Sequence, residues 1–258
     1  MERWAIISDI DGSIHNKVVY PPIIECLNEA RLQGHIVILA SGRRLNNLED
    51  IPEEILEVAN GLVLANGSII KTKNDTIFEY IDNDMSNIVK SFLDNLNINY
   101  YVDTATGMYS RFLRRSAFDW STLREERVLS FRVMPDTIEK CANIISLNNG
   151  LGLQTLTWQM KNTDRMYIEI LPNNVNKWTS SKKLLGLLNV VNYKTLSIGD
   201  DLNDISMLIN SDLSVGVGSL ELLKFVTDVR ADNLEELTRG LRALMVKWGG
   251  IIEQLEKR

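Results

Sequence analysis

At both ends of the chain, short runs of branched apolar residues alternate with helical stretches, and several runs stop at a polar side chain able to do chemistry. The pattern predicts strands at 4–8, 36–40 and 62–65, with a helix over 22–33 and helical residues over 45–58 between them. Gly34 closes the first helix, because glycine enters the left-handed region without a Cβ penalty. Two further strand-like pieces follow at 68–71 and 76–80. From 167 onward the alternation resumes, with strands at 167–170, 195–198 and 213–217 and helices at 177–188, 202–209 and 219–225. Strand and helix taking turns in this way predicts an α/β fold, a doubly wound parallel sheet of the Rossmann-like kind.

The middle of the chain reads differently. Helices at 85–96, 118–126 and 137–147 are set among strands at 98–103, 108–113, 128–134 and 151–158, a pattern for a separate α+β unit. At about 150 residues per domain, 258 residues leave room for one core and a smaller insert. The expected division is a discontinuous core, 1–81 and 166–258, interrupted by a cap domain at 82–165. Near the C-terminus, Leu234, Leu237, Leu241, Leu244, Trp248, Ile251 and Leu255 form one apolar helical stripe. It is expected to pack on the sheet, with a dimerising coiled coil as the alternative, so a monomer or a homodimer is expected.

A net charge of −6 sets the whole-molecule field against nucleic acid and anionic membranes. Apolar runs stay well short of the roughly 18 residues that a membrane span needs. The N-terminus reaches Asp9 too soon for a signal-peptide core. Cys26 and Cys141 do not make a disulfide framework, and reduced thiols in a cytoplasmic protein are the expectation.

Four signals carry the chemistry. Asp9-Ile10-Asp11-Gly12-Ser13 follows the first strand, where ligands of open α/β sheets bind. An EF-hand loop would need Glu at its twelfth position, where this chain has Tyr20. Gly199-Asp200-Asp201-Leu202-Asn203-Asp204 also follows a strand and opens a helix. Helix capping accounts for one or two of its acids, but not for all of them beside Asp9 and Asp11. Were the strands neighbours, Asp9, Asp11, Asp200 and Asp204 would converge, and such like charges need a cation or protons to coexist. Oxygen-only ligands point to Mg²⁺. Ser41-Gly42-Arg43-Arg44 after the second strand, and Asn176-Lys177 opening a helix, supply a phosphate cradle and a point charge for it.

In this order, each beside a strand end or a helix start, the four signals resemble the motifs of the haloacid dehalogenase-like phosphatase superfamily. The insert between the second and third motifs resembles the type-II capped, Cof-like branch, which includes sugar-phosphate phosphatases. Asn66-Gly67 and Glu169-Ile170-Leu171-Pro172 are similar to Cof-type sequence as well. The resemblance implies a Mg²⁺-dependent phosphomonoesterase for a small phosphorylated metabolite, with a sugar phosphate the expected class. It implies Asp9 as nucleophile, Asp11 as general acid and then base, and Ser41 and Lys177 on the phosphoryl oxygens. Asp9, Asp11 through its carbonyl oxygen, and Asp200 would hold the metal, with Asp204 in or next to that shell. Gly12, Gly42, Arg43, Asn66 and Asn203 would line the phosphate and substrate. A phosphomutase or phosphotransferase sharing the first half-reaction, and a catalytically quiet phosphate-binding regulator, are the alternatives.

One position departs from the Cof pattern: Trp178 follows Lys177 where glycine is usual, so the indole has to point out of the phosphate site. In the insert, Arg111, Arg114, Arg115, Arg124, Arg127 and Arg132 outnumber Asp119, Glu125 and Glu126. They are read as a solvated face or as guanidinium forks for a second anionic group of the substrate. His15 is expected to be a spectator, His35, in a helix-to-strand turn, to be structural, and Trp120 and Trp158 to be cap core.

Overall fold

The computed structural model describes residues 2–16, 19–110, 120, 126–159 and 166–255. The first stretch builds β1 (Arg3–Ser8), α1 (Pro21–Leu32), β2 (Ile36–Ala40), α2 (Glu53–Glu57), β3 (Gly61–Leu64), β4 (Ile69–Lys71) and β5 (Thr76–Phe78). The middle adds α3 (Asn83–Asn95), β6 (Tyr100–Thr104), β7 (Met108–Ser110), β8 (Val128–Val133), α4 (Ile138–Leu151), β9 (Gln154–Gln159) and β10 (Met166–Leu171). The last stretch supplies α5 (Lys177–Leu187), β11 (Tyr193–Gly199), α6 (Ile205–Leu208), β12 (Leu213–Val217), α7 (Leu223–Val226), β13 (Val229–Ala231) and α8 (Leu234–Leu255).

The larger sheet has eight strands in the order β13-β12-β11-β1-β2-β3-β4-β5. From β13 to β3 the pairing is parallel, and β4 and β5 close one edge as antiparallel strands. Chain order runs outward in both directions from β1, so the topological switch lies between β1 and β11, where such sheets open a crevice for ligand. Side chains alternate between two cores. Ile6, Val37 and Leu39 face the layer of α1 and α8, whereas Ala5, Ile7, Ile36 and Ile38 face Leu184 and Leu185 of α5 and Met207 of α6. In α8, Leu237, Leu241 and Met245 are buried, and the helix packs against α1. Trp248, Ile251 and Leu255, the far end of the expected stripe, have side chains outside the described residues.

The smaller sheet is antiparallel, in the order β7-β6-β8-β10-β9. One face holds a core of Tyr100, Val102, Phe131, Val133, Ile168 and Ile170 against Val89 and Leu93 of α3 and Ile144 of α4. Alternation turns Asp103, Ser130, Arg132 and Glu169 to the opposite face, with Arg132 and Glu169 directly cross-strand. Trp120 stacks on Phe131 in the cap core, as expected. The Trp158 side chain lies outside the described residues, as do Arg111, Arg114, Arg115, Asp119, Arg124 and Glu125.

The structure differs from the sequence reading in several places. Strand β10, expected to resume the parallel core, pairs antiparallel with β8 and β9, so the smaller sheet extends to Leu171 rather than stopping at 165. The expected helix over 45–58 is divided by Pro52 into a single turn at Leu45–Asn47 and the short α2. The helix over 202–209 begins as a tight turn at Leu202–Asp204, and that over 219–225 shrinks to α7. Strand β13, three residues long, was not anticipated.

Candidate active site

The C-terminal ends of β11, β1, β2 and β3 bring the sequence signals together. Asp9 follows β1 and donates its N–H to the carbonyl of Ile198 in β11 at 2.9 Å, which fixes it beside the Gly199-Asp200 turn. Gly12 has φ +94, and a Cβ there would lie 2.1 Å from Asp200 Oδ2. Only glycine lets the first acidic loop pass so close to the second. Ser13 Oγ donates to Asp200 Oδ1 at 3.2 Å across the same gap.

Lys177 enters at the first turn of α5, which Asn176 caps through a reciprocal pair with Thr179. The Lys177 side chain is fully buried, and its Nζ lies 2.5 Å from Asp9 Oδ1 and 2.6 Å from Asp204 Oδ1. Burial opposes the Lys177 charge, but Asp204 and Asp9 outweigh it and hold the pKa above its usual value. The other oxygen of Asp204 accepts from the N–H of Asp200 at 2.9 Å and of Asp201 at 3.0 Å. Both Asp204 oxygens are therefore committed, one to Lys177 and one to the turn that carries Asp200.

Burial drives the Asp9 carboxyl well above its ordinary pKa despite Lys177, with the charges of Asp204 and Asp200 pushing the same way. Asp200 is pushed up to about 6 by burial and then by Asp204 and Asp201. Carboxylate oxygens of Asp9, Asp200 and Asp204 all lie within 4.8 Å of one another. Fully ionised, three carboxylates against one ammonium would carry two excess negative charges, which the raised pKa values reflect and a divalent cation with oxygen ligands would balance. The residues present fit such an ion.

Ser41 is buried at the end of β2, its Oγ accepting the N–H of Arg43 at 3.1 Å. Arg43, expected on the substrate, lines the cleft and also grips Asp11: Nε lies 2.7 Å from Asp11 Oδ2 and Nη2 2.9 Å from Oδ1. Its Nη1 donates to the carbonyl of Asn47 at 2.8 Å, so three of its five N–H groups are engaged within the protein. Asn66 follows β3 with φ 52 and accepts from Asn203 Nδ2 at 3.0 Å.

These groups border a cleft of about 500 Å³ whose lining includes Asp9, Asp11, Ser41, Asp200 and Asn203. Two further lining residues are Arg44 and Arg132. Arg44 was noted only as part of the Ser41 motif, and Arg132 only as one cap arginine among several. Arg132 comes from the polar face of the cap sheet, where its Nε lies 2.9 Å from Asp103 Oδ2 and 3.4 Å from Glu169 Oε1. Arg44 reaches up from the core to Asp103 Oδ1 at 2.8 Å and donates to Met108 Sδ at 3.1 Å. Burial lowers the Arg44 pKa, with Asp103 opposing the shift. The carboxylates of Asp103 and Glu169 balance the two guanidinium groups, so this wall offers no net charge to a second anion. The charged residues inside β6 and β10 were the sequence signal for it.

Trp178 does point away from the cleft, packing on the second face of the large sheet with Lys182 Nζ 5.4 Å from its ring. His35 is structural: its Nδ1 accepts the Trp4 N–H at 3.2 Å. His15 serves the first acidic turn through its carbonyl, which accepts the Gly12 N–H at 2.9 Å.

A doubly wound sheet with a buried acid cluster at its switch point and a polar cap above it is the build of a capped α/β enzyme. The haloacid dehalogenase-like hydrolase family matches residues 6–221, and the chain belongs to that family, within its Cof-like phosphatases. Over 238 residues, 90% of this chain and 91% of the relative, it is 23% identical to 5-amino-6-(5-phospho-D-ribitylamino)uracil phosphatase YcsE of Bacillus subtilis strain 168. Among solved structures it superposes on BT1666 of Bacteroides thetaiotaomicron with a TM-score of 0.80 at 16% identity, covering 95% of this chain and 96% of that one. The subclass IIB sugar phosphatase BT4131 gives a TM-score of 0.75 at 15% identity over 94% of this chain and 99% of that one. Among the described residues, no helix is long and apolar enough to cross a membrane.

Proposed function

We propose that this phosphatase hydrolyses a small phosphomonoester, with a sugar or polyol phosphate as the substrate class, through a phosphorylated Asp9. The observation that supports this best is the Lys177 ammonium bridging Asp9 and Asp204 inside a cluster of three carboxylates whose oxygens lie within 4.8 Å of one another. An Asp9 carboxylate oxygen attacks phosphorus, the ester oxygen leaves with a proton from Asp11, and an aspartyl-phosphate remains. Asp11 then takes a proton from water, whose oxygen attacks the same phosphorus and frees inorganic phosphate and the Asp9 carboxylate. Lys177, the Ser41 hydroxyl and the Gly42 N–H stabilise the phosphoryl oxygens. Both Asp11 oxygens accept from Arg43, so Asp11 has to leave that fork and take up a proton from solvent before it can protonate the ester oxygen.

Asp9, Asp200 and the Asp11 carbonyl oxygen would hold Mg²⁺, with Asp204 behind them keeping Lys177 and the Asp200 turn in place. The ion would supply positive charge against the phosphoryl oxygens.

The test is phosphate release from a panel of sugar phosphates, polyol phosphates and nucleotides, with Mg²⁺ and with EDTA, beside Asp9→Asn. Metal-dependent release that Asp9→Asn abolishes is expected. Full activity in Asp9→Asn would overturn the mechanism, and phosphoryl transfer to an added sugar in preference to water would identify a phosphotransferase.

A further inference from the structure

Glu169 is fully buried in the cap sheet and belongs neither to the acid cluster nor to the cleft lining, although it lies 3.4 Å from the Nε of the lining residue Arg132. Its Oε1 accepts from Ser130 Oγ at 2.9 Å, and its Oε2 accepts from Asn66 Nδ2 at 2.6 Å. From these bonds we infer that Glu169 is a positioning residue for the phosphoryl site, acting by fixing which way two amide side chains face. The inference rests on the proposed phosphatase reading and adds to it a residue outside the four motifs.

A carboxylate can only accept, so the amino end of Asn66 must face Glu169 and its carbonyl end must face away. That carbonyl oxygen is the atom that accepts from Asn203 Nδ2 at 3.0 Å. It also lies where a Cβ on Gly42 would approach to 3.2 Å, directly against the Ser41–Gly42 turn. Asn66 is tied to the same turn through its backbone, its N–H donating to the Ser41 carbonyl at 3.1 Å. The Asn203–Asn66 bond turns the amino end of Asn203 toward Asn66 and so sets which way its amide faces in the cleft wall. One acceptor in the cap thus sets the polarity of a relay that borders the phosphate cradle on one side and the Asp200 loop on the other.

Glu169→Gln keeps the volume and the acceptor facing Ser130 and Arg132, but it turns a donor toward Asn66. The Asn66 amide then has to reverse, bringing its amino end against Gly42 and against the amino end of Asn203. A second change repairs the polarity without restoring the original residue. In the double variant Glu169→Gln with Asn66→Asp, the new carboxylate at 66 accepts from both the glutamine and Asn203, and net charge is conserved.

The experiment compares wild type, Glu169→Gln, Asn66→Asp and the double variant. It measures kcat and KM with p-nitrophenyl phosphate, affinity for inorganic phosphate by calorimetry, and Tm. Glu169→Gln is expected to lose about tenfold in kcat/KM and in phosphate affinity, the scale on which outer hydrogen-bond partners act, together with a lower Tm, because Arg132 loses a buried carboxylate partner. The double variant is expected to recover most of the loss in kcat/KM and phosphate affinity but not the Tm. Wild-type behaviour in Glu169→Gln would overturn the inference, as would a double variant no better than Glu169→Gln. Lower Tm with unchanged kinetics would assign Glu169 a structural role only. If the wild type hydrolyses no monoester yet binds phosphate, the phosphatase reading falls while the four affinities still decide the role of Glu169. A wild type that does neither overturns both.

Discussion

The ammonium of Lys177 lies 2.5 Å from Asp9 Oδ1, although 168 residues separate the two in the chain. The contact makes Lys177 both a structural countercharge and a group for the phosphoryl oxygens. Lys177→Met should therefore cost about 3 kcal/mol of stability, the scale for removing one partner of a buried ion pair. It should also lower kcat by about 10²–10³-fold, as losing one oxyanion donor does. Because Asp9 is readily protonated in its buried site, the stability deficit should shrink toward pH 5. Urea denaturation at pH 5 and pH 8 checks this, and equal deficits would refute it.

Asp200 predicts how stability varies with pH in metal-free protein. Its pKa of about 6 lies above the unfolded carboxylate value, so the folded state binds the proton more tightly. That contribution is complete below the unfolded pKa, roughly 4, and is lost as pH rises through about 6. Melting in EDTA should show Tm falling by a few degrees between pH 5 and pH 7, an effect in the same direction as that of Asp9. Asp200→Asn should reduce the fall, and Mg²⁺ should raise Tm most at the higher pH. A slope in Asp200→Asn matching wild type would count against this.

Gly12 and Gly34 make a matched comparison, since both have positive φ, +94 and +86. A Cβ on Gly34 meets nothing within 4 Å, whereas one on Gly12 strikes Asp200. Gly34→Ala should lose on the order of 1 kcal/mol from left-handed strain with kcat intact. Gly12→Ala should in addition displace Asp200 and raise the Mg²⁺ concentration for half-maximal activity by about 10–100-fold. Metal titration of both variants decides between strain and displacement.

Arg132 joins the cap wall to Asp103 and Glu169 through its guanidinium group. Arg132→Lys keeps the charge and loses the planar fork. KM for phosphorylated sugars should rise about tenfold while kcat for p-nitrophenyl phosphate, which is too small to need the wall, changes little. A parallel loss on both substrates would place Arg132 in the chemistry rather than in recognition.

What could be read from the sequence follows from where the chemistry sits. Asp9, Ser41 and Asp200 each follow an apolar strand, a position that in a parallel sheet can only be the ligand edge, so their convergence was legible before any coordinates. Trp178 was legible for a steric reason, since an indole has no room at a phosphate. Strand β10 was not: the run from Tyr167 to Ile170 looks the same whether its partners are parallel or antiparallel, and only pairing with β8 and β9 decides. The partners of Glu169, Arg44 and Arg132 were hidden because they meet across paired strands of the smaller sheet, or between that sheet and the core, at sequence separations that no local pattern encodes. The Arg43–Asp11 bond could not be foreseen either, because the same side chain suited a phosphate equally well.

The membership of β10 in the smaller sheet matters to anyone rebuilding this enzyme. A chimera that exchanges the substrate-selecting module with that of another capped hydrolase has to cut after Leu171, in the short connection before Asn176. A cut at 165 would strand β8 and β9 without the strand between them. It would also leave Glu169 with the recipient and its Ser130 and Arg132 partners with the donor. Only five residues, Pro172 to Asn176, separate the last cap strand from Lys177. The permitted suture is therefore narrow, and its length has to be kept if the lysine is to arrive in register.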